Sequence, residues 1–470
     1  MPINSFLYPG AKTTPAYQVA NSCRFEDGDS PKMTITQGNP TEPGGNASRK
    51  WTISTWVKRG NLGINSYIFL GGAYTNQGNK LYFDSNDNLV YWEHNSSSTT
   101  SWKFVTNRKF RDCSSWYSII VAHDSTQSTE GNRVKIYING TQETSFSTDT
   151  YPSEDADSNF MYNAEVITIG AQHTQNYFDG YLAETVFIDG SQLAATSFGE
   201  FDEDSPNIWK PKDVSGLTFG TNGFYLDYED SSNLGNDANG GTDLSETNLA
   251  AADQATDTPT NSFCTLNPLN NWEGSYTLSE GNCIFTGTGG NDATAGTMGV
   301  ASGKFYYEVE FDTESASSYA GFGPDTLLNN VGTGNPIDEF IGMYRDDYTM
   351  QIGGSSEGAY TDVSDGDIFG FAINLDAASG SQTVIIQKNG TTIDTVTIPT
   401  ANEGAFWIPV VGDTSSTDGV LKCNFGGCPS VAPSSAVADA NGYGSFEYNP
   451  TISSVDYLAL CTKNLGSDGG

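Results

Sequence analysis

The sequence is poor in basic residues, which number 21 against 57 acidic residues and leave a formal net charge of −36. Each contact with a phosphate of nucleic acid or anionic lipid needs a cation from the protein to replace the counterions. A surface this negative repels both, and we therefore predict that nucleic acid is not a partner.

Long apolar runs and a secretory signal are also missing. No run of apolar residues approaches the roughly 18 that a membrane-spanning helix needs, which predicts no membrane insertion. The first ten residues, MPINSFLYPG, lack the basic and apolar regions of a signal peptide. If the protein acts outside a cell, we expect a route other than this N-terminus to take it there.

Cysteine and histidine offer little for metal or nucleophilic chemistry. The seven cysteines are scattered without a CxxC pair, which argues against a zinc site and a dense disulfide framework and leaves one or two disulfides open. The three histidines are His94, His123 and His173, and no GxSxG motif stands near them. His123 follows an apolar strand and precedes Asp124, which predicts a strand end at the surface.

Short strands and turns dominate what is present. Aromatic residues make up 12% of the chain and glycine supplies 52 residues, a mixture that favours β-strands and tight turns over long helices. Residues 51–58, WTISTWVK, alternate in polarity. This pattern places Trp51, Ile53 and Val57 on one face of a strand and Trp56 on the other.

The strand series predicts an all-β protein with two tandem β-sandwich (jelly-roll) domains, joined by an acidic segment rich in Asp, Asn, Ser and Gly. Each half contains an alternating strand that ends in Asn-Gly, at 139–140 and 389–390, and this dipeptide predicts a type I′ hairpin turn. The predicted divisions are an N-terminal arm (1–16), a first sandwich (17–204), an inter-domain segment (205–264), a second sandwich (265–428) and a C-terminal extension (429–470).

The first half resembles the laminin-G-like, concanavalin A-type jelly rolls. The resemblance rests on an ordered set of segments: SCRF (22–25), WTISTWVK (51–58), WYSIIVA (116–122), VKIYING (134–140), IGA (169–171) and GYLAETVFI (180–188). It implies a jelly-roll fold over residues 17 to about 200. Because laminin-G-like domains often carry a calcium ion on the rim, it also implies that calcium can bind.

The second half, from 265 to 428, resembles the SPRY domain. The segments that carry this resemblance are SGKFYYEVE (302–310), DGDIFGFAINLD (365–376), IQKNG (386–390) and FWIPV (406–410). It implies a second β-sandwich.

The tandem arrangement, with NSFLY (4–8) near one end and YLALCTKNL (457–465) near the other, is similar to large tail-fibre or structural proteins of marine bacteriophages. This resemblance implies a virion surface protein that is assembled in the host cytoplasm and exposed on the particle. It implies other virion proteins and a host-surface glycan or protein as partners. By analogy with fibre proteins, it implies a homo-oligomer, a trimer.

Sugar-binding sites present aromatic faces beside polar loop side chains. Five aromatic residues are candidates for ligand contact, with burial in the core as the alternative: Trp92, Trp102, Tyr177, Phe178 and Trp272.

Two loops offer oxygen atoms that suit calcium. The first contains Asp84, Asn86 and Asp87, and the second contains Asp237 and Asn239. Neither completes an EF-hand, and hydrogen bonding within turns is the alternative role. We predict no other cofactor.

The segment EFDTE (310–314) resembles the strand motif of laminarinases, in which two carboxylates act as nucleophile and acid. It falls in the SPRY-like half rather than the laminin-G-like half, and we therefore predict a non-enzymatic protein without catalytic residues. Our first hypothesis is a tail-fibre or adhesin-type virion protein. The alternatives are a capsid decoration or head-fibre protein that binds other virion proteins, and a glycan depolymerase.

Overall fold

A computed structural model describes most of the chain. The described residues are 17–41, 47–72, 79–94, 100–203, 205–270, 276–290, 292–313, 317–326, 340–344, 348–351, 355–359, 363–414, 419–428 and 433–468. They confirm the all-β prediction, because their one α-helix is Thr462–Asp468. No helix among them is long and apolar enough to cross a bilayer. The predicted arm 1–16 lies outside the described residues.

The first sandwich contains two eight-stranded sheets, which we call sheets A and B. In spatial order, sheet A consists of Thr141–Gln142, Val134–Ile138, Tyr117–Asp124, Lys50–Arg59, Gly180–Asp189, Ser22–Phe25 and Gln254–Ala255, with Phe224–Leu226 beside Gly180–Asp189. Sheet B consists of Phe146–Thr150, Thr100–Lys109, Asn88–His94, Asn79–Phe83, Ser66–Gly71, Val166–Ile169, Lys32–Thr36 and Ser245–Thr247. Two short pairs lie outside these sheets: Ala47–Ser48 with Ser158–Tyr162, and Gly199–Phe201 with Trp209–Pro211.

The second sandwich contains sheets C and D. In spatial order, sheet C consists of Tyr276–Ser279, Ile284–Gly287, Val420–Asn424, Lys304–Thr313, Asp367–Asn374, Thr383–Lys388 and Thr391–Thr397, with Leu458–Ala459 parallel to Lys304–Thr313. Sheet D consists of Asp292–Ala295, Trp407–Asp413, Ser318–Pro324, Ile341–Tyr344, Tyr348–Gln351 and Ser355–Ala359. A further short pair joins Thr451–Ile452 to Val455–Asp456.

The strand Lys50–Arg59 shows how alternation builds the first sandwich. Trp51, Ile53 and Val57 lie in the core between sheets A and B, whereas Trp56 belongs to an apolar cluster on the outer face of sheet A. Successive side chains on a strand point to opposite faces, and the predicted assignment of these four residues is therefore confirmed.

Both Asn-Gly pairs form the predicted hairpins. Asn139 and Gly140 have φ angles of 46° and 76°, and Asn389 and Gly390 have 50° and 76°. Positive φ at both central residues is what a type I′ turn requires. Gly140 is further constrained, because a Cβ there would lie 2.2 Å from the Trp209 ring.

The segment 205–264, predicted as a connection between domains, has a larger part in the structure. Phe224–Leu226 and Gln254–Ala255 extend sheet A, and Ser245–Thr247 extends sheet B. The segment also covers the outer face of sheet A with three aromatic side chains, those of Trp209, Phe219 and Tyr225. The sequence did not predict these contacts, because the residues that make them are widely spaced among polar turns.

The C-terminal extension covers the outer face of sheet C in the same manner. Phe446, Tyr457 and Ala459 pack with Tyr306 in one buried cluster. The buried carboxylate of Glu308 accepts hydrogen bonds from the backbone N–H groups of Glu447 and Tyr448, at 2.9 and 2.8 Å, and from the Tyr306 hydroxyl at 3.0 Å. Glu308 thus ties the extension to sheet C.

Replacing Glu308 by alanine is expected to weaken docking of the extension by about 2–3 kcal/mol, since hydrogen bonds to a charged group contribute about 1.5–3 kcal/mol each and losses within one network are not additive. Hydrogen exchange at the amides of Glu447 and Tyr448 should accelerate at least tenfold. Glu310→Ala, two residues along the same strand, is the matched control. Unchanged exchange in Glu308→Ala would contradict this role.

The two sandwiches meet at a junction that contains a buried ion pair. Lys58 Nζ lies 2.6 Å from Asp257 Oδ2, and both side chains are 1% exposed. The ammonium group also donates to the Phe263 carbonyl at 2.9 Å, and Trp116 Nε1 donates to Asp257 Oδ1 at 2.9 Å. Every charge at this position therefore has hydrogen-bond partners, as a buried charge requires.

A second set of contacts joins sheet A directly to the second sandwich. Arg24 of the first strand pairs with Glu280 at 2.6 Å and with Asp253 at 2.8 Å. The Tyr181 hydroxyl donates to the Gly281 carbonyl at 3.0 Å. Gly281 has a φ of +65°, and a Cβ there would lie 2.2 Å from the Tyr181 hydroxyl, so glycine permits this close approach.

Candidate functional site

The outer face of sheet B carries a group that we call the Trp92 patch: Lys80, Tyr82, Val90, Trp92, Lys103 and Val105. Its members lie in two rows across three neighbouring strands. Trp92 is paired with Lys80 on one side and with Lys103 on the other, and Val90 is paired with Tyr82 and Val105. Directly opposed residues on antiparallel strands have Cβ atoms about 5 Å apart, and each row is therefore contiguous.

Trp92 is half-buried and lies between two ammonium groups. Lys103 Nζ is 4.5 Å from the centre of the Trp92 ring, and Lys80 Nζ is 5.1 Å from it. Burial lowers the pKa of Lys80. None of the six residues is acidic, although the chain carries a net charge of −36. The patch therefore combines an aromatic ring with hydrogen-bond donors.

The other predicted aromatic candidates lie elsewhere. Trp102 and Phe178 are buried in the core between sheets A and B, where neither ring can contact a ligand, and this corrects the prediction for both. Tyr177 is half-buried and does not belong to the patch. Trp272 lies outside the described residues.

The loop with Asp84, Asn86 and Asp87 does not converge on a cation. Asp84 Oδ1 accepts hydrogen bonds from the N–H groups of Asn86 and Asn88, at 2.9 and 3.0 Å. The buried Asp87 carboxylate instead pairs with two guanidinium groups, those of Arg59 at 3.0 Å and Arg111 at 3.1 Å. The loop thus serves a turn and an internal ion pair, which corrects the predicted calcium role.

The second predicted calcium loop also serves a turn. Asp237 Oδ1 accepts from the N–H groups of Tyr225 and Asn239, at 2.9 and 3.0 Å, and Oδ2 accepts from that of Gly241 at 3.0 Å. Both carboxylate oxygens therefore stabilise the local backbone.

A different group of oxygens, which sequence reasoning missed, lies near the junction. We call Glu26, Asp27 and Asp179 the carboxylate cluster: one oxygen of each lies within 4.8 Å of the other two. Glu26 follows the strand Ser22–Phe25, and Asp179 precedes Gly180–Asp189. The cluster forms because these strands pair with Phe25 opposite Gly180, a long-range register that no local pattern reveals.

The carboxylate cluster adjoins a cleft, and its crowding and burial favour the neutral, protonated forms of Glu26 and Asp179. Burial raises the pKa of Glu26 to about 7, and burial together with the charges of Glu26 and Asp27 holds the pKa of Asp179 well above its ordinary range. The cleft has a volume of about 600 Å³ and is lined from both sandwiches, by residues that include Glu26, Asp27, Asn61, Leu269, Tyr276 and Leu278.

The carboxylates of the laminarinase-like segment are engaged in ion pairs. Lys422 Nζ lies 3.4 Å from Glu310 Oε1 and 2.6 Å from Asp312 Oδ1, and Phe311 between them is buried in the core. Glu314 lies outside the described residues. Glu310 and Asp312 thus share the Lys422 ammonium group on the face of sheet C, and a structural role explains this arrangement.

His123 lies in the core rather than at a surface strand end, which corrects the prediction. The strand Tyr117–Asp124 continues through it, with His123 paired with Trp51. Its ring stacks on the Trp51 ring at 5.2 Å and 3°, and burial lowers its pKa to about 3. Substrate cannot reach this imidazole. His173 is exposed, and the side chain of His94 lies outside the described residues.

Glu93 lies in the same part of the core and is 1% exposed. Its Oε1 accepts from the hydroxyl groups of Tyr91 and Ser158, each at 2.7 Å, and burial raises its pKa to about 8. Perturbed carboxyls often mark active sites, but this group lies between the sheets, away from the cleft and from the Trp92 patch. The one sequence signal for Glu93 was the alternation of its strand, which places this residue on the core-facing side.

The paired sheets and the shared core place the first sandwich among jelly-roll domains. Residues 28–195 match the Laminin_G_3 family, the concanavalin A-like lectin/glucanases superfamily. The first sandwich therefore contains a concanavalin A-like jelly-roll domain, as its sequence motifs predict. This superfamily includes lectins and glucanases alike, and the fold by itself does not choose between binding and catalysis.

Solved structures with some similarity include SPRY domains and a pentraxin. The SPRY domain of human HERC1 is 18% identical, over 35% of this chain and 98% of that chain, with a TM-score of 0.28. A SAP-like pentraxin from Limulus polyphemus is 14% identical, over 38% and 80%, with a TM-score of 0.28. A human SPRY domain is 15% identical, over 32% and 93%, with a TM-score of 0.24. No curated protein matches the chain significantly.

Proposed function

We propose that the chain is a non-enzymatic protein displayed on a bacteriophage particle, and that it binds host-surface glycans through the Trp92 patch. The observation that carries this proposal is the contiguous row Lys80–Trp92–Lys103 on the outer face of sheet B. A sugar ring that displaces the ammonium groups now lying over the Trp92 ring would stack on its aromatic face, and those groups would donate hydrogen bonds to its hydroxyl or acidic substituents. The particle context rests on the resemblance of the tandem to phage structural proteins.

The disposition of the two sheets in the first sandwich supports the choice of face. The outer face of sheet A is covered by residues of the segment 205–264 and by Cys428. The Trp92 patch lies on the opposite side of the sandwich, facing away from the junction. A ligand on sheet B would therefore not compete with the contacts that join the two sandwiches.

The ion pairs of Glu310 and Asp312 and the burial of Glu93 support binding over catalysis at these three carboxyl groups. A retaining glycosidase needs a free carboxylate pair about 5–5.5 Å apart, whereas Glu310 and Asp312 are both paired with Lys422. Glu93 is enclosed by the core. A glycan depolymerase would therefore need catalytic groups other than these.

Two binding experiments distinguish a glycan-binding protein from the nearest alternative, a capsid decoration or head-fibre protein. The purified protein should be offered to virions stripped of it and, in parallel, to a glycan array. The proposal expects a saturable signal for a subset of glycans. Firm rebinding to particles with no glycan signal would instead establish a decoration protein. Sedimentation of the same preparation would test the proposed homotrimer.

Replacing Trp92 by alanine should weaken binding to the array's strongest glycan at least about fivefold, because loss of an aromatic stacking contact costs about 1–3 kcal/mol. Phe406→Ala is the matched control, since Phe406 is an exposed aromatic residue of the second sandwich. Equal affinities of wild type and Trp92→Ala for the glycan would show that the Trp92 patch is not the binding site. Weaker binding by Phe406→Ala would place the site on the second sandwich.

A further inference from the structure

We propose that Lys58 and Asp257 react with each other to form an amide bond, a covalent cross-link between sheet A and the segment that leads into the second sandwich. This inference does not depend on glycan binding. Lys58 Nζ lies 2.6 Å from Asp257 Oδ2, and the two residues are 199 positions apart in the chain. The ion pair in the structure is the state from which the bond forms.

The Lys58–Asp257 pair combines a nucleophilic amine with burial, since both side chains are 1% exposed. The Arg59–Asp87 pair is nearly as buried, at 0% and 4%, but a guanidinium group keeps its proton in proteins and is a poor nucleophile. Four other lysines pair with carboxylates and are each at least 20% exposed: Lys210, Lys304, Lys388 and Lys422.

The hydrogen bonds around Lys58 orient its amine towards Asp257. Nζ donates to the Phe263 carbonyl at 2.9 Å and to the Ser262 hydroxyl at 3.2 Å. A neutral amine has two N–H bonds and one lone pair. When Phe263 and Ser262 accept the two N–H bonds, the lone pair faces the carboxyl group of Asp257.

A hydrogen bond to the other carboxyl oxygen activates Asp257. Trp116 Nε1 donates to Asp257 Oδ1 at 2.9 Å, and an indole N–H can only donate. Attack of an amine on the carboxyl carbon places negative charge on one oxygen, and a donor already aimed at that oxygen stabilises the charge. Trp116 therefore holds the oxygen that remains in the amide, whereas Oδ2 leaves.

The reaction is a condensation that releases one water molecule and needs no oxidant or other reactant. A proton first passes from the Lys58 ammonium group to Asp257 Oδ2, which gives a neutral amine and a carboxylic acid. The Nζ lone pair then forms a bond to the Asp257 carboxyl carbon. Nζ gives a second proton to Oδ2, the bond between the carbon and Oδ2 breaks, and Oδ2 leaves as water.

Burial and fixed geometry favour the amide over the ion pair. Each buried charge carries a desolvation cost, and the amide removes both charges. Groups held in reacting geometry behave as if present at about 10⁵–10⁸ M. Trp116 and Tyr181 contribute aromatic rings to the site, with Lys58 Nζ 5.9 Å from the centre of the Tyr181 ring. Water that could reverse the reaction therefore has little access.

The cross-link would strengthen the junction between the sandwiches. Lys58 lies on the strand Lys50–Arg59 of sheet A, and Asp257 belongs to the segment 205–264. A covalent bond between residues 199 positions apart restricts the unfolded chain. The cross-linked protein should therefore melt at a higher temperature than Lys58→Arg, which keeps the positive charge and cannot form the bond.

The test is mass spectrometry of the denatured chain, followed by tryptic mapping. We expect a mass that is lower than the mass calculated from the sequence by one water molecule, and one branched peptide that joins Lys58 to Asp257. Lys58→Arg should have its full calculated mass. Lys422→Arg, at a partly exposed ion pair, is the matched control and should lose one water molecule as wild type does.

Replacing Trp116 by phenylalanine tests the role of the indole donor. Removal of one such donor slows a reaction by about 10²–10³-fold, and we expect the bond to form at least about tenfold more slowly in freshly purified Trp116→Phe than in wild type. The fraction of chains that have lost water, followed over time, measures this rate. An equal rate in the two proteins would contradict the role of Trp116.

Three results would overturn the proposal: the full calculated mass in wild type after prolonged incubation, the same loss of water in Lys58→Arg, or a branched peptide that joins other residues. If Lys58→Arg does not fold, the tryptic map of wild type decides alone. Recovery of one peptide that ends at Lys58 and of a separate peptide that contains Asp257 would show that neither side chain had reacted.

Discussion

Replacing Lys58 by methionine is expected to destabilise the protein by about 3–5 kcal/mol, the cost of removing one partner of a buried ion pair. The Asp257 carboxylate would remain buried with Trp116 Nε1 as a donor but without its counter-ion. The Ser262 hydroxyl and the Phe263 carbonyl would also lose the ammonium group. Urea unfolding followed by far-UV circular dichroism measures this loss.

Two further variants isolate the buried charge as the cause. Lys422→Met removes a lysine whose ion pairs are partly exposed and should cost less than about 1 kcal/mol. Adding Asp257→Asn to Lys58→Met removes the uncompensated charge and should recover part of the stability. A loss below about 1 kcal/mol in Lys58→Met, or no recovery in the double variant, would contradict the junction as described.

Replacing Glu93 by glutamine should stabilise the protein at neutral pH and remove a pH dependence. Burial raises the pKa of Glu93 from 4.5 to about 8 in the folded protein. The folded state therefore keeps the proton that the unfolded state has already lost. The favourable contribution is fully present below pH 4.5 and is lost as the pH rises towards 8.

The size of this effect follows from the width of that window. Each pH unit above 4.5 costs about 1.4 kcal/mol until the folded carboxyl ionises, so Glu93→Gln should be more stable than wild type by about 3 kcal/mol at pH 7. Glutamine retains the oxygen that accepts from Tyr91 and Ser158. Unfolding free energies at several pH values between 4 and 8 measure the difference.

His123 acts in the opposite direction and supplies an internal control. Its folded pKa is lowered from 6.5 to about 3, so its contribution is present above pH 6.5 and is lost as the pH falls towards 3. Both proteins contain His123, and its effect cancels when they are compared. A constant stability difference between pH 4 and 8 would contradict the assignment to Glu93.

Local pattern sufficed for much of the fold. Alternation placed Trp51 and Trp56 on opposite faces, and Asn139-Gly140 fixed a hairpin, because both signals depend on residues adjacent in the chain. Local pattern did not predict the strand pairing of the segment 205–264. Its short strands pair with residues up to about 230 positions away, such as Ser22 with Ala255, and no local period encodes such a partner.

The candidate sites also differ in whether local sequence or long-range strand pairing determines them. Trp92 could be predicted as a candidate because a strand with aromatic residues on both faces is conspicuous in the sequence. Composition did not show which aromatic rings face the core and which face outward. Trp102 therefore shared the prediction and proved to be core. The carboxylate cluster was hidden, because Glu26 and Asp179 come together through pairing of distant strands.

Tryptophan fluorescence during titration with the array's strongest glycan shows whether the sugar contacts Trp92. The chain contains eight tryptophans, so wild type is compared with Trp92→Phe, which keeps an aromatic stacking face and removes this one fluorophore. We expect a saturable emission change in wild type that disappears in Trp92→Phe, while the array still reports binding. The same emission change in both proteins would place the glycan at another tryptophan and contradict the assignment of the Trp92 patch.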